Sequence, residues 1–188
     1  MRKIIFLSLL VLSSVFILQG QNIGIKTNLL ADLTTTINLG AEIGLGKKTT
    51  LDIYGNYNPW SYTNQRKFRQ VLVQPEFRYW FCERFNAHFV GIHLHGALFN
   101  VGGVTMPFNM WTKLKDYRYE GGLYGAGISY GYQWVLSTHW NLEANVGVGY
   151  AHIIYEQYRC RHCGKKVKEG HYNYVGPTKA ALSLMYLF

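Results

Sequence analysis

Beyond its first twenty residues the sequence has no apolar run approaching the about 18 unbroken residues that a membrane-spanning helix needs. A helical membrane protein is thereby excluded. Charge is also scarce: Asp, Glu, Lys and Arg make up 15% of the chain, with 10 acidic residues against 19 basic ones. Cysteine is rarer still, at three, and none stands directly after the N-terminal apolar segment, which argues against a lipid-anchored chain. No linker, low-complexity tract or helical repeat interrupts the sequence, so its length suits one domain. Glycine and tyrosine are plentiful instead, at 20 and 15, a composition suited to strands with one face in lipid.

The N-terminal segment has the layout of a secretory signal peptide. Arg2 and Lys3 precede an apolar run from Ile4 to Leu18, broken by Ser8, Ser13 and Ser14, and then Gln19-Gly20-Gln21. Residues 1–20 are expected to be removed near Gly20, although Leu18 is an unusual residue three positions before such a cut. The expected domain is then 21–188.

Period two runs through that domain. Ile37, Leu39, Ala41, Ile43 and Leu45 alternate with Asn38, Gly40, Glu42 and Gly44, while Tyr124, Ala126, Ile128, Tyr130, Tyr132 and Trp134 alternate with Gly125, Gly127, Ser129, Gly131 and Gln133. Eight such segments are expected, near 23–31, 36–46, 49–58, 70–82, 87–99, 121–136, 140–155 and 175–188. Tight connections (Gly46 to Lys48, Glu83 to Asn86, Ser137 to His139) alternate with long ones at 59–69, 100–120 and 156–174; the connection around Asp32 to Thr35 is short. The expected fold is all-β, a closed eight-stranded antiparallel up-and-down transmembrane β-barrel with its short turns on the periplasmic side. A soluble lipocalin-like barrel would turn its apolar face inward and leave bare glycines facing water. Pro75 lies inside the fourth segment and lacks a ladder N–H, so a bulge or late strand start is expected there.

The C-terminal stripe of Ala180, Leu182, Leu184, Tyr186 and Phe188 is greasy and ends in aromatics. Tyr186 and Phe188 resemble the insertion signal read by barrel-insertion machinery, and they point to the bacterial outer membrane, with its lipid and lipopolysaccharide as surroundings. Aromatic girdles are expected from Trp80, Phe81, Trp134, Trp140, Tyr186 and Phe188 at one edge, and from Tyr57, Trp60, Tyr124 and Tyr155 at the other. The strings KTNLL from Lys26, QPEFRYWF from Gln74 and GAGISYGYQW from Gly125 resemble a domain-of-unknown-function family of small eight-stranded outer-membrane barrels of anaerobic Gram-negative bacteria. That resemblance implies the fold and implies no known activity.

Eight strands enclose an interior that side chains can fill, which argues against a diffusion pore. On this register Lys26, Glu42, Asp52, Glu76, Arg78, Glu143 and Lys179 point inward, and such near-balanced charge reads as a buried salt-bridge network. A symmetric turn at Glu83 to Asn86 pairs residues whose numbers sum to 169, setting His93 against Glu76, His95 against Gln74, and Gly91 against Arg78, where it would leave room for the guanidinium. The turn at Lys47 sets Glu42 opposite Asp52, a like-charge pair needing Arg78 or Lys26 to neutralise it. The His-x-His pair has metal-ligand chemistry and Glu42 with Asp52 superficially resembles an acid/base pair, but a satisfied network is the expected role, with no catalytic residue and no cofactor. A barrel enzyme acting on lipid A or lipopolysaccharide is the alternative; some use Ser, His and Glu on the lipid-facing wall, where only His152 is expected, with no Ser beside it.

The formal charge of +9 concentrates in the long connections. Arg66, Lys67 and Arg69 fall in one, Trp111, Lys113, Lys115 and Arg118 in the next, and Arg159, Arg161, Lys165, Lys166 and Lys168 in the last, interleaved with aromatics. Such a rim suits lipopolysaccharide phosphates, an acidic glycan, or a larger outer-membrane complex in which the chain is an accessory subunit; nucleic acid is not an expected partner. Cys160 and Cys163 form a C-x2-C knuckle with His162 and His171 nearby, for which a disulfide or free thiols are favoured over zinc. Cys82 is expected a membrane thickness away from them.

Overall fold

A computed structural model describes residues 23–62, 66–102, 117–159 and 166–188. The signal segment lies outside them. The elements run β1 (Ile23–Asn28), α1 (Leu29–Leu33), β2 (Ile37–Gly44), β3 (Thr49–Asn58), β4 (Ser61–Tyr62), β5 (Arg66–Trp80), β6 (Ala87–Gly102), β7 (Arg118–Val135), β8 (Trp140–Tyr158) and β9 (Lys166–Leu187). The strands pair antiparallel in sequence order, except that β3 pairs with β5 and the two-residue β4 pairs with β5 alone; β1 pairs with β9. The result is a closed ring of eight up-and-down strands, with β4 an annex to the start of β5.

Closure makes alternation three-dimensional: one side chain in two enters the ring and its neighbours face out. Along β8, Asn141, Glu143, Asn145 and Gly147 are buried while Trp140, Val146 and Val148 are exposed. The β5–β6 ladder follows the sum of 169, from Lys67↔Gly102 to Trp80↔Phe89, and β2–β3 sets Glu42 opposite Asp52.

Four local features differ from the expectation. The strands are longer at the long-loop end, so Arg66, Lys67, Arg69, Arg118, Lys166, Lys168 and His171 lie on β5, β7 or β9 rather than in loops. Charged and aromatic composition suggests a loop, but ladder hydrogen bonds extend a strand whatever its hydropathy, and β8–β9 pairs as far as Tyr158↔Lys166. At the first connection β1 ends at Asn28, not at residue 31. The Asn28 side chain accepts the Leu30 N–H and caps α1, an N-cap replacing further ladder bonds. Pro75 produces neither a bulge nor a late start: the β5–β6 ladder skips Gln74 and Pro75 and resumes in the same register, and Pro75 stays paired with Ile53 of β3. A missing N–H costs bonds to one neighbour without shifting the count. The bulge lies instead in β9, where Gly147↔Lys179 is followed by Val148↔Pro177, leaving Thr178 as the extra residue.

The interior is layered. At the short-turn end Trp80, Phe85, Phe89, Met185 and Leu187 form an apolar plug. Trp80 therefore belongs to the plug and not to a girdle: it shares the inward parity of Glu76 and Arg78, and its indole N–H donates to Thr50 Oγ1 at 2.9 Å. Tyr155 likewise has inward parity and stacks on Tyr119, with ring centroids 5.6 Å apart. The inward glycines of β7 make the space the large residues of β6 need. Gly125, Gly127 and Gly131 face His95, His93 and Phe89, and a Cβ on Gly131 would come within 2.2 Å of the Phe89 ring.

Candidate functional site in the ring interior

Above the plug lies a cluster built around Arg78. Its Nε donates to Glu76 Oε1 at 2.6 Å, Nη1 to Glu42 Oε2 at 2.7 Å and Glu143 Oε2 at 2.8 Å, and Nη2 to Asp52 Oδ2 and Glu143 Oε1, both at 2.9 Å. All five guanidinium N–H groups are thereby used, on four carboxylates from four strands. The face of Phe89 lies 4.4 Å below the guanidinium carbon. Lys26 Nζ reaches Glu42, Asp52 and Glu143 at 3.0–3.1 Å, and Lys179 Nζ reaches Glu76 Oε2 at 2.9 Å. Thr50 donates to Glu42 Oε1, and Asn145 to Glu76 Oε1.

Lys26, Glu42, Asp52, Glu76, Arg78, Glu143 and Lys179 thus form one connected cluster. His93 adjoins it, with Nδ1 3.7 Å from Glu76 Oε2 and Nε2 2.9 Å from Oγ1 of the bulge residue Thr178. The His95 ring lies tilted beside that of His93, centroids 5.6 Å apart, while the expected pairing of His95 with Gln74 falls in the gap of the β5–β6 ladder. The space at Gly91 serves other groups than expected. A Cβ there would meet Ser129 Oγ at 2.6 Å and Glu76 at 2.9 Å, because Arg78 bends toward the ring centre, where its four acceptors are. Chemically this cluster is a clamp: each charge is held by opposite charges from other strands.

The interior is not filled to the top. A cavity of about 370 Å³ lies above the cluster, bounded by Lys26, Asp52, Glu143 and Lys179, by inward residues of β3 and β5 such as Tyr54 and Gln74, and by Leu30 and Ala31 of α1. Side chains were expected to plug this volume. They fall short because inward residues such as Asn56, Gln70 and Thr178 are small or medium-sized, and β1 gives way to α1 at this height. Tyr54 and Gln74 carry an inward-parity signal that sequence reading could have used.

Of the basic rim, Trp111, Lys113, Lys115, Arg161 and Lys165 lie outside the described residues, as do Cys160, His162 and Cys163. Arg69, Arg159 and Lys168 are exposed. Arg118 lies over the Tyr158 ring at 4.4 Å and 3.5 Å from Glu120, and Lys166 bridges Glu156, at 2.6 Å, and Glu169. Part of the positive rim is therefore neutralised locally. His171 stacks on His152 of β8, ring centroids 5.7 Å apart, and His152 also engages Asn173 and Tyr124. Among the described residues no group of three or more His, Cys, Asp or Glu side chains is arranged to hold a metal ion. Cys82 is exposed just past β5 and unpaired among those residues.

The Lys166–Glu156 contact makes a titration prediction. Hydrogen bonds from Lys166 and then Tyr158 hold the Glu156 carboxyl below the usual carboxylate range. A depressed folded-state value means the contact is intact at neutral pH and released as pH falls through that value. Lys166→Ala is expected to raise the Glu156 midpoint, read from carboxyl carbon shifts in an NMR titration; an unmoved midpoint would refute the contact.

No curated protein and no solved structure matches this sequence. A family model described as protein of unknown function (DUF3575) matches residues 5–188, nearly the whole chain, and this eight-stranded ring belongs to that family.

Proposed function

We propose that the chain is a small outer-membrane β-barrel without a conducting pore, with a structural, accessory-subunit or surface-binding role. The observation that supports this reading is inverted polarity. Ile92, Leu94, Ile128 and Val146 on adjacent strands are 60–64% exposed, whereas Glu42, Glu76, Arg78 and Glu143 are at most 1% exposed. In water that arrangement exposes a belt of greasy side chains and buries charge at a desolvation cost; in a bilayer the belt is the solvated surface. Exposed Trp134, Trp140 and Phe188 at the short-turn end, and Tyr57 and Tyr124 at the other, suit the two interfaces. The apolar plug and the ion cluster close the interior to a through-path.

The strand extensions of β5 and β7–β9, with the exposed bases Arg69, Arg159 and Lys168, form the contact surface for lipopolysaccharide, an acidic glycan or a partner barrel. A lipid A-modifying role is disfavoured: His152 on the outer face is engaged by Asn173, Tyr124 and His171, and His88, a second outer-face histidine where His152 alone was expected, is engaged by Tyr130 and Tyr132. Membrane fractionation tests the placement. The protein is expected in outer membranes, resistant to alkaline carbonate, and running faster on gels when unheated than when boiled. Recovery as a soluble monomer would overturn the reading.

A further inference from the structure

We propose that the interior cavity binds a small amino alcohol, seating its protonated amine against Asp52 and an adjacent hydroxyl against Gln74. The cavity of about 370 Å³ is within the usual size of small-molecule sites. Its floor is electrically incomplete: the cluster holds four carboxylates, Glu42, Asp52, Glu76 and Glu143, against three permanent cations, Lys26, Arg78 and Lys179. One negative charge is left over, in a place where uncompensated charge is costly.

The unmet acceptor has a location. Asp52 Oδ2 accepts from Arg78 at 2.9 Å and lies 3.1 Å from Lys26 Nζ and 3.6 Å from Lys179 Nζ, but Oδ1 has no hydrogen-bond partner among the described residues. Two residues from Asp52's cross-strand partner Glu76, the Gln74 side-chain nitrogen is also buried and unpartnered. Both residues line the cavity and both are at most 2% exposed. An acceptor carrying charge and a neutral amide donor, side by side, call for a ligand with a cationic donor next to a neutral acceptor. A protonated amine beside a hydroxyl meets both requirements, whereas a carboxylate or phosphate would face Asp52 and Glu143. His93 faces Glu76 and is held by Thr178, so it supplies no donor to Asp52 Oδ1. The lining also includes Leu72 and Ala181, which can pack against the carbon skeleton.

This inference rests on the ring and its interior and not on membrane placement, so a soluble protein that bound the ligand would sink only the membrane reading. The test is calorimetric titration of the full chain, folded in detergent and checked by its unheated gel migration, with glucosamine, glucose and glucuronate as probes. Glucosamine is expected to bind saturably, about tenfold or more tighter than glucose, with no binding of glucuronate. Asp52→Asn is expected to remove the preference for glucosamine. Because Asp52 also serves the ion cluster, Gln74→Leu provides the second variant: outside the cluster, it should keep native migration and weaken glucosamine about fivefold or more. Natively migrating protein that binds no glucosamine, that binds glucosamine and glucose equally, or that keeps full affinity in Gln74→Leu would overturn the proposal.

Discussion

Arg78→Ala is expected to destabilise the ring by about 3–5 kcal/mol, the cost of breaking a buried ion cluster by removing one partner. The loss is large because Arg78 is the one group bonded to all four carboxylates. Its removal leaves Lys26 and Lys179 alone against Glu42, Asp52, Glu76 and Glu143, with a cavity over Phe89. Arg78→Lys should recover part of the loss, since a lysine restores the charge but has three donors where five are used. A second change that removes one acid, Glu143→Gln, should also recover part of it, because the remaining charge is closer to balance. The measurements are thermal melting in detergent and the disappearance of the fast-migrating unheated band. Lys168→Ala on the exposed end of β9 is the comparison that should leave both unchanged. An Arg78→Ala protein that melts like the parent would refute the clamp.

Gly125→Ala is expected to prevent the native ring from forming at all. A methyl group there would lie 2.0 Å from the Tyr150 carbonyl oxygen, 2.8 Å from the Ala151 Cα and 2.7 Å from His95 Nε2. A flexible side chain can move aside, but two of these three are backbone of the neighbouring strand β8, fixed by ladder bonds on both sides. Ordinary overpacking costs about 1–3 kcal/mol, and a clash with paired backbone exceeds that range because relief requires strand separation. Gly96→Ala is the control: it is also a strand glycine, and its nearest contact would be 4.0 Å. Only the Gly125 variant should lack the fast-migrating band, and pairing it with His95→Ala should not rescue it, because the backbone clash remains. Native migration of Gly125→Ala would show that β7 and β8 can part without loss of the ring.

Strand count, direction and register were legible because hairpins with tight turns reduce pairing to arithmetic. Glu76 faces His93 and Glu42 faces Asp52 because the turns at residues 45–48 and 81–86 admit no slack. Inward parity then delivered the charged cluster, including the need for Arg78 and Lys26 beside the Glu42–Asp52 pair. What escaped was everything that depends on lateral context. Lys166 to Tyr174 reads as loop by composition and is strand because β8 is beside it. Asn28 reads equally as a strand residue or a cap, and the cap wins where β1 loses its neighbours. The cavity escaped because β1 gives way to α1 at its height, a change that inward parity does not register.

The joint between β1 and β9 consists of five residue pairs, Gly24↔Leu187 to Asn28↔Ser183, while the β7–β8 joint runs from Arg118↔Tyr158 to Val135↔Asn141. A cylinder assembled from one continuous meander has a single joint that cannot form until its first and last strands have both arrived, and here that joint is one of the two shortest in the ring, beside the four pairs between β1 and β2. Lys26 is on one side of it and Glu143 on β8 is beyond the other, so the ion contact between them acts as a latch on an otherwise brief zipper. Assembly would therefore end, and mechanical opening would begin, at the same line, with the charges at its centre determining how readily the wall parts.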